Sequence, residues 1–198
     1  MRRRRLSMVL VALAASACAG PADVPLTAPV SVTHARADDS PQNFQTHLNP
    51  DNEVPAHASL AQGNAKFQLS KDGRTMSYKV IASNIDNAFM THIHLAPAGS
   101  NGGIVVWLRP TTPNGVAGPE SQVRQDGVFA EGEFTSANFV GALAGKSMDD
   151  LVAAIRAGNA YVNVHTRDLT RTAADTTAGN FPGGEVRGQL GNGNGMTP

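Results

Sequence analysis

Cysteine is all but missing. Cys18 is the single one among 198 residues, so no disulfide forms within the chain. A fold built from the remainder rests on packing, with or without the help of a metal. A surplus of either charge is missing too: Lys and Arg total 16, Asp and Glu total 16, and the formal net charge is zero. Without a basic surplus there is nothing to grip a phosphate backbone, which excludes nucleic acid as a partner. Charged residues make up only 16% and aromatics 5%, against 41% hydrophobic. That is not the composition of a charge-rich disordered chain, and it is enough to bury a core. The charge-free stretch Leu6 to Ala17 falls well short of the ~20 apolar residues that span a bilayer. There is no serine nucleophile elbow, no Cys–His pair and no spaced carboxylate pair beside an evident groove, so a hydrolase is set aside. On these grounds a binding or structural role outranks an enzymatic one.

What is present begins with an address. Arg2, Arg3, Arg4 and Arg5 precede the short apolar run, and small residues follow it. Charge, apolar core and small residues in that order read as a secretory signal peptide over residues 1–17. Ala15-Ser16-Ala17-Cys18 resembles the bacterial lipobox, with Ala15 where Leu is usual. The resemblance implies lipidation at Cys18, a membrane anchor, and a lipoprotein of the periplasm or cell envelope with room for an envelope protein partner. Plain cleavage after Ala17 is the alternative and leaves a secreted chain with a free thiol. The residues that follow a twin-arginine export signal are absent. Removing Arg2–Arg5 with the leader turns the mature chain acidic.

Residues 18–41 carry four prolines and no period, which reads as a tether. Residues 191–198 are a Gly/Asn-rich tail. The domain is therefore expected over residues 42–190. High Gly and Pro suit a turn-rich β architecture. Ala65–Leu69 alternates, Lys71-Asp72-Gly73-Arg74 reads as a turn, and Met76–Ile81 resumes the alternation, which predicts a hairpin. Further strands are expected over Phe89–Leu95, Ile104–Leu108, Val128–Phe134, Tyr161–His165 and Val186–Leu190. Short strands at this spacing predict a β-sandwich or barrel. One helix is expected to connect strands. Ser147 would cap it, Leu151, Ala154 and Ile155 would face the core, and Gly158 would end it.

Six histidines occur, and three stand out. On a strand, residues two apart share a face. His92 and His94 therefore sit opposite Ile93 and Leu95, and Tyr161, Asn163 and His165 sit opposite Val162 and Val164. If the two strands are neighbours, three imidazoles converge on the outer face of a sheet. Three neutral imidazoles suit copper or zinc. The alternative is that they hydrogen-bond loop backbone and hold the outer layer of the sheet. Glu53 and Glu185 are candidates for orienting a ligand histidine. An ion pair with Arg187 is the competing role for either carboxylate.

The motifs Asn52-Glu53-Val54-Pro55, His92-Ile93-His94, Tyr161-Val162-Asn163-Val164-His165-Thr166 and Gly184-Glu185-Val186-Arg187-Gly188-Gln189-Leu190 resemble the CHRD (chordin) domain family over about residues 44–190. The resemblance implies an all-β, immunoglobulin-like Greek-key β-sandwich with one short connecting helix. It implies little about activity beyond a binding or structural module. The departures are Ala56-His57 after Pro55, Leu95-Ala96-Pro97 after His94, and a long polar stretch over residues 167–182. That stretch leaves directly after His165, where it would either cover the histidine face or form an unstructured insertion; its composition favours the second. A copper–zinc superoxide dismutase is similar in being a sandwich with a His-x-His strand, a later His and an Arg. Here the disulfide pair and a second metal-ligand cluster are absent, so only a single-metal variant fits, with Arg187 in the place of the Arg.

Overall fold

The computed structural model describes residues 42–110, 124–172 and 174–192. The strands are β1 (Asn43–Leu48), β2 (Gln62–Leu69), β3 (Thr75–Asp86), β4 (Ala88–Leu95), β5 (Gly103–Arg109), β6 (Arg124–Thr135), β7 (Ala160–Thr166), β8 (Val186–Gln189) and β9 (Gly191–Asn192). They form two antiparallel sheets, one of order β6-β3-β2-β1-β9 and one of order β5-β4-β7-β8. The chain crosses between sheets after β3, β5, β6 and β8, so β3 pairs with β6 and β4 with β7 although neither pair is consecutive. This is the Greek-key sandwich implied by the family resemblance. The signal peptide, Cys18 and the tether lie outside the described residues, as do residues 193–198.

Local chemistry explains the elements. The predicted hairpin joins β2 to β3. Asp72 accepts hydrogen bonds from the Ser70 hydroxyl (2.6 Å) and the Arg74 amide (3.1 Å), and Gly73 takes φ +70°, which a β-carbon would strain. The one helix, α1 (Met148–Arg156), lies between β6 and β7. Ser147 caps it reciprocally with Asp150: the Asp150 amide donates to the Ser147 hydroxyl, and the Asp150 carboxylate accepts from the Ser147 amide at 2.8 Å. Its buried face is Met148, Leu151, Val152 and Ile155. Val152 therefore takes the core place expected of Ala154, because the buried stripe is rotated toward the start of the helix. The expected strands are all present, most of them a residue or more longer than the alternation shows. β9 extends the ladder two residues past the expected domain end, pairing Gly191 and Asn192 with Gln45 and Phe44.

One core lies between the sheets. β2 reads exposed–buried in strict alternation and sends Ala65, Phe67 and Leu69 inward. Ile93, Val105, Val162 and Val164 meet them from the second sheet. The Tyr78 hydroxyl crosses the core and donates to the Leu108 carbonyl at 2.8 Å, joining the layers through a satisfied polar tip.

Candidate metal centre

Register builds the site. On the second sheet, cross-strand pairing sets Trp107, His92, Asn163 and Arg187 in one row and Ile104, His94, Tyr161 and Gln189 in the next; His165 stands opposite Met90. Directly opposed side chains on one face are contact neighbours. Period two thus places His92, His94 and His165 on the face away from Ile93, as expected.

The face is not an outer one. All of β7 is buried on both sides, and His92 is fully enclosed. Three segments cover it. Residues 49–61 pair with the free edge of β8 through Asn49 and Arg187. The turn before β5 is tied to that segment where Asn101 donates to the Val54 carbonyl at 2.8 Å. The stretch after β7 folds back over the histidines, so the expectation of an unstructured insertion is corrected. Arg171 holds its turn by ion pairs to Asp168 and Asp175, and His57 stacks on Phe181 at 3.6 Å between centroids.

Each histidine is oriented. The His94 Nδ1 donates to the Gly102 carbonyl at 2.9 Å, and the His165 Nδ1 donates to the Pro182 carbonyl at 2.8 Å. A carbonyl only accepts, so both rings carry their proton on Nδ1 and present a bare Nε2. The His92 Nδ1 faces the His165 Nε2 at 3.2 Å. The Nε2 atoms of His92 and His94 are buried without a partner among the described residues. Each such atom costs about 1–3 kcal/mol unless something meets it. One ligand nitrogen from each ring can be chosen so that all three lie within 4.8 Å of one another. Burial, helped by the neighbouring rings, pushes the His92 pKa down to about 2. Burial likewise holds His165 at about 4 and lowers His94. All three are neutral near pH 7, the state a metal needs.

Rings frame the triad. Trp107 meets His92 edge to face at 4.2 Å. Tyr161 lies flat on His94 at 4.7 Å, and the Arg187 guanidinium sits 3.4 Å over the Tyr161 ring. Gly102 clamps this pair, its carbonyl taking His94 and its amide donating to the Tyr161 hydroxyl at 3.2 Å. A β-carbon there would collide with the Leu95 carbonyl, so the position requires glycine.

The acids act differently from the expectation. Backbone carbonyls, not Glu53 or Glu185, orient the ligand rings. Glu185 fastens the cover: its carboxylate accepts from Ser59 (2.6 Å), Thr166 (2.6 Å) and the Gly179 amide (3.0 Å). Neither carboxylate forms a salt bridge with Arg187. Its guanidinium donates to Asn101 at 3.0 Å and to the Ser100 carbonyl. Glu53 is buried, which pushes its pKa up to about 7 against the pull of the Arg187 charge. Sequence reasoning missed Asn163, Tyr161, Trp107 and Gly102 as parts of the site, although parity had already put Tyr161 and Asn163 on the histidine face.

An all-β sandwich whose β7 is buried on both faces, with a histidine cluster inside the second layer, defines the class. The chain belongs to the CHRD domain family, whose model matches residues 44–173. The match includes all three histidines and stops short of Glu185 and Arg187. No curated protein matches the chain.

Proposed function

We propose that the protein is an exported CHRD-domain module of the cell envelope that binds or scaffolds through its sandwich and holds one zinc or copper ion on His92, His94 and His165. The observation that carries the metal reading is the enclosed set of three neutral imidazoles, with two Nε2 atoms that no described group meets. Ideal tetrahedral coordination with bonds of about 2.0–2.1 Å separates ligand nitrogens by about 3.3 Å. The three ligand nitrogens stand no more than 4.8 Å apart, so small side-chain shifts bring them onto one ion. Enclosure favours a structural or electron-transfer ion over an open catalytic one. It also weighs against a dismutase-like variant. That variant would need Arg187 at the ion, and this guanidinium lies instead over Tyr161, bound to Asn101 and Ser100.

Export and anchoring rest on the leader and Cys18 and are tested by fatty-acid labelling of wild type against Cys18→Ser. The metal reading is tested with the full chain carrying Cys18→Ser and no metal-binding tag, titrated with Zn²⁺ and Cu²⁺. One equivalent bound, and lost when His92, His94 and His165 are all changed to Ala, is the expected result. A folded wild type that binds neither ion overturns it and leaves the binding or structural module.

A further inference from the structure

We infer that Asn163 supplies the fourth donor of this centre through its side-chain oxygen, making a closed site of three nitrogens and one oxygen; this rests on the metal reading above. Asn163 is 2% exposed and stands next to His92 in the cross-strand row, two residues before His165 on the same face. Its Oδ1 lies 2.9 Å from the His165 Nε2. That nitrogen is bare, because the His165 proton is on Nδ1, facing Pro182. Its lone pair therefore faces the Asn163 oxygen at hydrogen-bond distance, with the His92 Nδ1 3.2 Å from the same nitrogen. The Asn163 side chain also lies beside His94.

Turned over, the amide would donate to the His165 Nε2 but give up its bond to the Gly183 carbonyl. The amide nitrogen faces the Gly183 carbonyl at 3.5 Å and lies toward the Glu53 carboxyl. A flip would set the oxygen against the Gly183 carbonyl. Gly184 leaves the space for this arrangement, since a β-carbon there would strike the Glu53 carboxylate and the Asn163 amide. Its φ of +131° suits glycine as well. As it stands, the pocket sets the Asn163 oxygen beside the bare Nε2 atoms of His165 and His94. A cation at the centre satisfies them together.

An oxygen donor added to three imidazoles favours Zn²⁺ and Cu²⁺ over monovalent copper, which prefers softer ligands. The enclosed fourth position also leaves no place for water on the ion. Both consequences are measurable on the full chain with Cys18→Ser. The forms compared are the parent, Asn163→Leu, Asn163→Asp and the triple histidine variant. Affinity is read by competition with a chelating indicator, using Zn²⁺ and Cu²⁺. Water on Cu²⁺ is read by pulsed electron paramagnetic resonance in D₂O.

The parent is expected to show no deuterated water on copper. Asn163→Leu is expected to lose roughly 10–100-fold in affinity and to admit water. Asn163→Asp keeps an oxygen in place and is expected to bind at least as tightly as the parent, without water. Parent-like affinity and a dry ion in Asn163→Leu would overturn the assignment, as would a water on copper in the parent. If Asn163→Leu does not fold, the parent spectrum and Asn163→Asp decide. A parent that binds no metal overturns the histidine centre itself. A parent that binds through the histidines with water in the fourth place overturns Asn163 alone.

Discussion

The two sheets of this sandwich follow opposite rules. In the five-stranded sheet, β2 alternates buried and exposed without a break, and its partner strand carries pairs such as Lys79–Glu131 in water at 2.9 Å. Such an exposed pair contributes about 0–1 kcal/mol. In the four-stranded sheet, β7 is buried throughout, and the face away from the core is polar. Every buried polar or charged residue among those described lies on the second sheet or in its cover; none lies on the first. Apart from the Tyr78 hydroxyl, the first sheet meets the core through apolar side chains. The second has spent stability on desolvating histidines, an asparagine and two carboxylates, and such residues persist where a site needs them.

The contrast can be broken from either side. Phe67→Ala empties the apolar layer of the first sheet beside Tyr78. It should cost about 3–5 kcal/mol in denaturant melts while the metal stoichiometry of the folded fraction stays unchanged. Altered stoichiometry would show that the two faces are coupled. From the other side, Zn²⁺ at a thousandfold excess over its dissociation constant should stabilise the parent by about 4 kcal/mol, seen as a raised melting temperature. The triple histidine variant should not respond; an equal response would place the ion elsewhere.

Glu185→Gln alters a buried carboxyl that ties Ser59 and Gly179 of the cover to Thr166 of β7. It should cost about 2 kcal/mol and loosen the metal as well, because the Pro182 carbonyl that aims His165 rides on the same segment. Unchanged affinity would detach the cover from the centre.

The metal-free chain should lose stability as pH falls from about 6.5 toward 5. His92 and His165 stay neutral when folded but take up protons when unfolded, so the unfolded state gains at acid pH. Glu53, pushed up to about 7, works against this: folded, it holds a proton that the unfolded chain has released above pH 4.5. Two histidines against one carboxyl leave a net change of about one proton, or roughly 1.4 kcal/mol per pH unit toward pH 5, and His94, also lowered by burial, adds to the fall. Glu53→Gln should make the fall steeper, and a shallower fall would refute the assignment of that carboxyl. The smallest effect is expected from Tyr161→Phe, which gives up the bond from the Gly102 amide. A loss of about 1 kcal/mol and a shifted His94 ring resonance are expected; a silent His94 would remove Tyr161 from the clamp.

Strand parity carried most of what the sequence could say about this contrast. Period two placed His92 and His94 opposite Ile93, and Asn163 and His165 opposite Val164, and pairing of β4 with β7 then brought them together. Whether that face is wet or dry is not a property of either strand. It depends on residues 49–61 and 167–185, which have no period and reach the histidines only through the fold. For the same reason the orienting groups were not legible. Gly102 and Pro182 act through main-chain carbonyls, which every residue has. Arg187 was expected to pair with a carboxylate because a buried guanidinium needs acceptors, but amide and carbonyl oxygens of the turn at 100–101 supply them.

The two-residue strand β9 has a mechanical consequence. By pairing Gly191 and Asn192 with Gln45 and Phe44, it sets the two ends of the described domain side by side. A pull applied across those ends would peel this short pair open one bond at a time before any longer ladder bears load. The same adjacency makes the fold a natural cassette. Its ends could be joined by a short linker and the chain reopened at the β2–β3 turn, on the sheet remote from the histidines.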